Sequence, residues 1–231
     1  MLTNLLFWNT EVAKSNYGKV VIISAIAAIV LIVFIAILCF ANRKGNLFSS
    51  VKDIVFAGLT ISASFALSFL KFTPVQYGGS ITLASFVPIL IYAYVFGFAR
   101  GALVGLIYGL LQFIQDAYLL TPVTFLLDYL LAFSSIAFMS VPKHFIKNTT
   151  SNVLTGTLLV YAVRFIMHLV SGFIYFAHGA VWANIPTPNA FIYSALYQLC
   201  YLPADMAICM IIFFILCKTN TFDRLVKMIK R

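Results

Sequence analysis

Gln115-Asp116-Ala117-Tyr118-Leu119-Leu120-Thr121-Pro122-Val123-Thr124-Phe125-Leu126-Leu127-Asp128-Tyr129 leaves one apolar segment, turns at a proline and enters another, where it almost at once places a carboxylate beside a phenol. A carboxylate that deep in an apolar run is costly to hold in lipid. Asp128 is therefore expected to face a protein interior and a partner, at the centre of a binding site.

The segments on either side belong to a chain of 231 residues that is 63% hydrophobic and 9% charged. Several of its runs are long enough to cross a hydrocarbon core of roughly 30 Å as helices of about 20 residues. In water such a chain would expose more apolar surface than a soluble monomer tolerates, which excludes a soluble domain. The formal charge of +9 does not point to nucleic acid, because the basic residues gather in loops between apolar runs and at the C-terminus. That is a topology signal. Cys39, Cys200, Cys209 and Cys217 lie within or at the ends of apolar runs, without metal-ligand spacing, and read as small buried hydrophobes. No metal site is expected.

Working outward from the proline turn, the apolar runs predict spans at about Ile54–Phe69, Ile81–Phe98, Ala102–Gln115, from after Pro122 to Val141, Val153–Phe176 and Phe191–Cys217. A further run, Val20–Phe40, is too long for a signal-peptide core and is followed by Asn42-Arg43-Lys44, so it reads as a retained helix. The expected fold class is all-α, a polytopic membrane bundle with a six-helix core and one extra N-terminal transmembrane helix. The expected division is 1–52, holding that helix and a basic loop, and 53–231, the six-span substrate-binding domain. Arg43, Lys44, Lys52, Arg100, Lys143, Lys147 and the basic C-terminal tail fall on one side, against Lys14, Lys19 and Lys71 on the other. This orients the chain in a cell membrane with its N-terminus outside and its C-terminus in the cytoplasm.

Two runs of small residues recur at four-residue spacing: Gly58, Ser62 and Ala66 on one span, and Gly101, Gly105 and Gly109 on another. Such faces let helices approach closely, either within the bundle or against another protein. Internal packing is the ordinary reading for the glycines; for Gly58-Ser62-Ala66 both readings stand.

Inside the spans the strongly polar residues are Asp128, Arg164, His168 and Asp205, joined by Gln112, Gln115 and Gln198. Arg164 and His168, four apart, share a helical face. Asp128, His168 and Gln198 fall at similar depth in the outer halves of three separate spans. Plainer readings compete: Arg164 and Asp205 neutralising one another, His168 capped by a carbonyl, Asp128 paired only to Arg164. Convergence with Tyr118, Tyr129, Phe176, Trp182, Tyr193 and Tyr197 in the same layer raises the functional reading, although an interfacial aromatic belt accounts for some of them. Aromatic faces with a carboxylate and an imidazole suit a small, flat, cationic or heteroaromatic solute. Motifs for a Walker phosphate loop, a His-Glu-x-x-His helix and a Gly-x-Ser-x-Gly elbow are missing, so no catalytic residue is expected.

From about Asp53 onward the chain resembles the substrate-binding S-components of energy-coupling factor (ECF) transporters, most closely those specific for thiamine. The resemblance rests on Gly78-Gly79-Ser80-Ile81-Thr82, Pro88-Ile89, Gly101-x3-Gly105-x3-Gly109-x2-Gln112 and Tyr118-x3-Pro122-x4-Leu127-Asp128-Tyr129-x2-Ala132-Phe133. It continues through Arg164-Phe165-x2-His168-x2-Ser171-Gly172 and Tyr193-x3-Tyr197-x4-Leu202-Pro203. It implies a six-helix bundle that holds vitamin in its outer half through Asp128, Tyr129, Tyr118, His168, Tyr193 and Gln198, with Phe176 where the family has a stacking tryptophan. It further implies docking of the Gly58-Ser62-Ala66 face on an ECF transmembrane coupling subunit, itself driven by two cytosolic ABC ATPases. ATP would be used by those partners, with no cofactor bound by this chain. The departures are Asp128 for a family glutamate, Gln198 for an asparagine, and Phe176. They leave open an S-component for another vitamin or pyrimidine; a self-sufficient proton-coupled transporter, with Asp128, Arg164, His168 and Asp205 as a relay, stands as the rival of a different class.

Overall fold

The computed structural model describes residues 50–74, 79–116, 122–176 and 190–230, without the side chains of 73–74 and 174–176. The expected helix Val20–Phe40 lies outside the described residues, as do Tyr118 and all of residues 177–189, Trp182 among them. Ser50 opens the first described helix, α1 (Val51–Ser68), with its hydroxyl accepting from the Asp53 N–H and donating to the Asp53 carboxylate. The first of these bonds satisfies a backbone donor that a helix start leaves orphaned. α1 buries Ala57, Ile61, Ser64 and Ser68, a single stripe at helical spacing, and packs on α2 (Phe86–Phe96) and α3 (Phe98–Gln115).

The stretch expected to form one span over Ile81–Phe98 divides in two. β1 (Lys71–Pro74) and β2 (Ser80–Thr82) pair antiparallel, and α2 starts only at Phe86. With 11 residues α2 is about 16 Å long, too short to cross a bilayer alone. The physical reason is a left-handed turn at Ala84 (φ 56°), braced by a 2.7 Å hydrogen bond between the Thr82 and Ser85 hydroxyls. Nothing in an unbroken apolar run announces such a turn. Non-helical backbone survives at membrane depth only where protein satisfies it. Here the Gly79 N–H donates to the Tyr197 hydroxyl at 3.0 Å and the Thr82 N–H to Asp205 at 3.1 Å.

The next helix, α4, runs Pro122–His144, with the proline at its first position, where the missing N–H costs nothing. It changes pitch along its length: a π-helical turn over Leu126–Leu131, a short α segment, then a 3-10 stretch over Ser135–His144. The α3 glycines explain how α4 is accommodated. A Cβ on Gly109 would sit 2.1 Å from the Tyr129 carbonyl oxygen and one on Gly105 2.4 Å from that of Phe133, while Gly101 lies against Ala93 and Ala137. This stripe is internal packing, as its ordinary reading held. The stripe on α1 faces the other way: Gly58, Ser62 and Ala66 are exposed, and a Cβ on Gly58 would meet nothing within 4 Å.

α5 (Thr149–Phe176) and α6 (Ala190–Lys218) form the most extensive helix pair, and a turn at Asn220 leads into α7 (Thr221–Lys230). α7 is pinned by Phe222 against Tyr94 and Phe213. α1, α3, α4, α5 and α6 are each long and apolar enough to cross a membrane, and α2 is a shorter apolar helix. The fold is an all-α polytopic membrane bundle. Its two ends differ: Lys71 pairs with Asp116 at the hairpin end, while Arg100 pairs with Asp53 at 3.4 Å and Lys143 lies over the Tyr94 ring at the other, basic end.

Candidate binding site

Asp128 lies in the π-helical turn of α4, and wide turns of this kind re-aim side chains, often at functional sites. Its carboxylate turns toward α5. Oδ1 lies 2.7 Å from His168 Nδ1 and Oδ2 accepts from the Ser171 hydroxyl at 2.5 Å. Arg164, one turn earlier on α5, donates from Nε to His168 Nε2 at 3.2 Å. A nitrogen that accepts carries no proton, so His168 is the neutral imidazole with its hydrogen on Nδ1, directed at Asp128. Arg164 is itself held between the Phe86 and Phe133 rings, 4.3 and 4.9 Å from their centroids, with Nη1 3.8 Å from Asp205 Oδ2.

The expected neutralisation of Arg164 by Asp205 is thus present, and Asp128 pairs with His168, not with Arg164. The Asp128 side chain is 29% exposed, against 10% for His168, 11% for Arg164 and 5% for Asp205. Asp128 is therefore the most exposed of these four linked groups. Its neighbour Tyr129 turns toward α3, donating its hydroxyl to the Asp116 carbonyl at 2.6 Å and packing its ring on Phe113. It ties the outer turn of α4 to the end of α3.

Gln198 on α6 is buried. Its Nε2 donates to the His168 carbonyl at 3.3 Å and its Oε1 accepts from the Tyr201 hydroxyl at 2.6 Å. Tyr193 is buried on the first turns of the same helix. Gly172 lets α5 and α6 close at this level, since a Cβ there would lie 2.3 Å from Ser194 Oγ. The structure so brings together Asp128, His168 and Gln198, with Tyr193 a little over a turn from Gln198 on α6; Tyr118 and the Phe176 side chain lie outside the described residues. Sequence reasoning quoted Ser171 in a motif but gave it no role, although Arg164, His168 and Ser171, spaced four and three apart, form one helical stripe. It also missed the grip of Tyr197 on the hairpin, for which no local signal exists.

The described residues so form a membrane bundle with a partly exposed carboxylate, Asp128, braced by an imidazole and a hydroxyl. Comparison with known proteins gives this class its family. Residues 54–224 match the thiamine transporter protein family, and the chain belongs to it. The thiamine transporter ThiT of Bacillus subtilis (strain 168) is 32% identical over 162 residues, which cover 64% of this chain and 80% of that protein. The solved structure of ThiT from Listeria monocytogenes superposes with a TM-score of 0.60 at 23% identity, covering 73% of this chain and 94% of the other, and so shares the fold. The chain is a membrane transport protein, not an enzyme.

Proposed function

We propose that this chain is the S-component of an ECF-type ABC importer and captures thiamine on the outer side of the cell membrane. The observation that carries the reading is the Asp128 carboxylate, reoriented by a π-helical turn and braced by His168 and Ser171 while still partly exposed. Asp128 holds the aminopyrimidine through charge-assisted hydrogen bonds. Tyr118, Tyr193 and Phe176 pack the rings, Tyr129 anchors the helix that carries Asp128, His168 braces the Asp128 carboxylate with both ring nitrogens engaged, and Gln198 fixes a polar edge with the second hydrogen of Nε2.

ATP is consumed by two cytosolic ATPases, and an ECF transmembrane subunit couples them to this chain through the Gly58-Ser62-Ala66 face. The outward exposure of that face on α1, with open space above Gly58, supports this docking. The gathering of Arg100, Lys143, Lys147, Lys218, Arg224, Lys227 and Lys230 toward one end supports an orientation with the C-terminus in the cytoplasm. Two variants separate capture from coupling. Asp128→Asn is expected to weaken thiamine binding by the purified chain strongly, whereas Gly58→Leu is expected to leave binding intact and to stop ATP-driven uptake in vesicles containing the full complex. Normal uptake by Gly58→Leu would remove this face from the docking surface.

A further inference from the structure

Between Ile54 and Cys217, the charged residues away from the two ends of the bundle are Asp128, Arg164 and Asp205. Their charge states follow from who donates to whom. Asp128 accepts from Ser171 Oγ and His168 Nδ1, and Asp205 accepts from the Thr82 N–H, the Thr82 hydroxyl and the Tyr161 hydroxyl. A carboxyl group surrounded by donors is the anion. His168 accepts from Arg164 and is neutral, and the guanidinium is permanently charged. The buried set therefore sums to one negative charge.

The two carboxylates divide the work. Asp205 is 5% exposed and its oxygens are taken up by β2, Tyr161 and Arg164, so it has no access to a solute. What it does is cancel the guanidinium. Without Asp205, the nearest remaining carboxylate along the Arg164–His168 chain would be Asp128. In an interior of low effective dielectric that uncompensated cation would oppose any cationic ligand.

We infer that Asp205 is a positioning residue that, by holding Arg164, leaves the charge of Asp128 unneutralised and makes the site select a flat organic monocation over its neutral isostere. The inference rests on the reading of this site as one for thiamine, whose thiazolium ring is such a cation. It extends that reading to a residue that never touches the solute.

The test compares two ligands on the purified full chain in detergent: thiamine, and its neutral thiophene analogue, in which carbon replaces the charged ring nitrogen. The quantity read is the ratio of their dissociation constants. Asp205→Asn is expected to lower the preference for the cation on the order of tenfold, the scale of one interior unit charge. Arg164→Gln is expected to raise the preference, and the double variant to return it toward that of the natural chain. A merely structural role would weaken both ligands alike, so a ratio unchanged in Asp205→Asn overturns the inference. If Asp205→Asn does not fold, Arg164→Gln decides alone: a raised ratio supports the inference, and an unchanged or lowered one overturns it. Failure of the natural chain to bind thiamine would instead contradict the functional reading, and this inference with it.

Discussion

Asp128 owes its direction to a change of helical pitch and its charge to two donors. The π-helical turn over Leu126–Leu131 swings the carboxylate toward α5, where His168 and Ser171 hold one oxygen each. Replacing Asp128 by Asn keeps the shape and removes the charge, and should weaken thiamine binding by about 2–3 kcal/mol or more, measured by titration, since a hydrogen bond to a charged group in a desolvated site is worth about that. Ser171→Ala removes a single donor to that carboxylate. It should cost about 1–3 kcal/mol in the same titration, with threonine at this position retaining part of it. That Asp128 needs a partner, and that His168 lies at its depth, was legible from sequence because a charged residue inside an apolar run is costly. The pairing offered there was with Arg164, and the geometry gives His168 instead. Ser171 was hidden for a different reason: a serine in a membrane helix is common enough that only its register with Arg164 and His168 marks it.

The helices differ in how openly their sequences declare their neighbours. On α3 the glycine stripe meets the α4 backbone so closely that a Cβ on Gly109 would fall 2.1 Å from a carbonyl oxygen. Gly109→Ala is therefore expected to lower the thermal unfolding temperature of the detergent-solubilised chain and, because Tyr129 adjoins Asp128, to weaken binding as well. On α1, Gly58→Ala enters open space and should leave unfolding unchanged. Four-residue spacing made both stripes visible from sequence, but spacing alone does not say which one faces inward. That depends on the opposite face of each helix, where α1 already buries Ala57, Ile61 and Ser64. The hairpin was illegible for a stronger reason. Its backbone is stabilised by Tyr197 and Asp205, more than a hundred residues away, so a run that looks like a continuous span turns at Ala84 instead.

At the scale of the molecule, the apolar runs in 53–231 were enough to establish an all-α membrane bundle, because a helix that satisfies its own backbone is almost the only structure lipid permits. They did not establish its span count, since among the described residues five helices are long enough to span and Ile81–Phe98 is not one of them. The distribution of charge adds a polarity between the ends. The Lys71–Asp116 pair at the hairpin end is partly exposed, and Lys71→Gln should cost no more than about 1 kcal/mol of stability, as surface ion pairs do. On the proposed function the chain captures its solute unaided, with ATP needed only for delivery through partner subunits. Equilibrium titration of the purified chain with thiamine, following quenching of its intrinsic fluorescence, tests that capture most directly. Tight, saturable binding without ATP or partners, strongly weakened in Asp128→Asn, is the predicted result. A folded preparation that fails to bind thiamine, or an Asp128→Asn variant that binds it as well as the natural chain, would contradict the account.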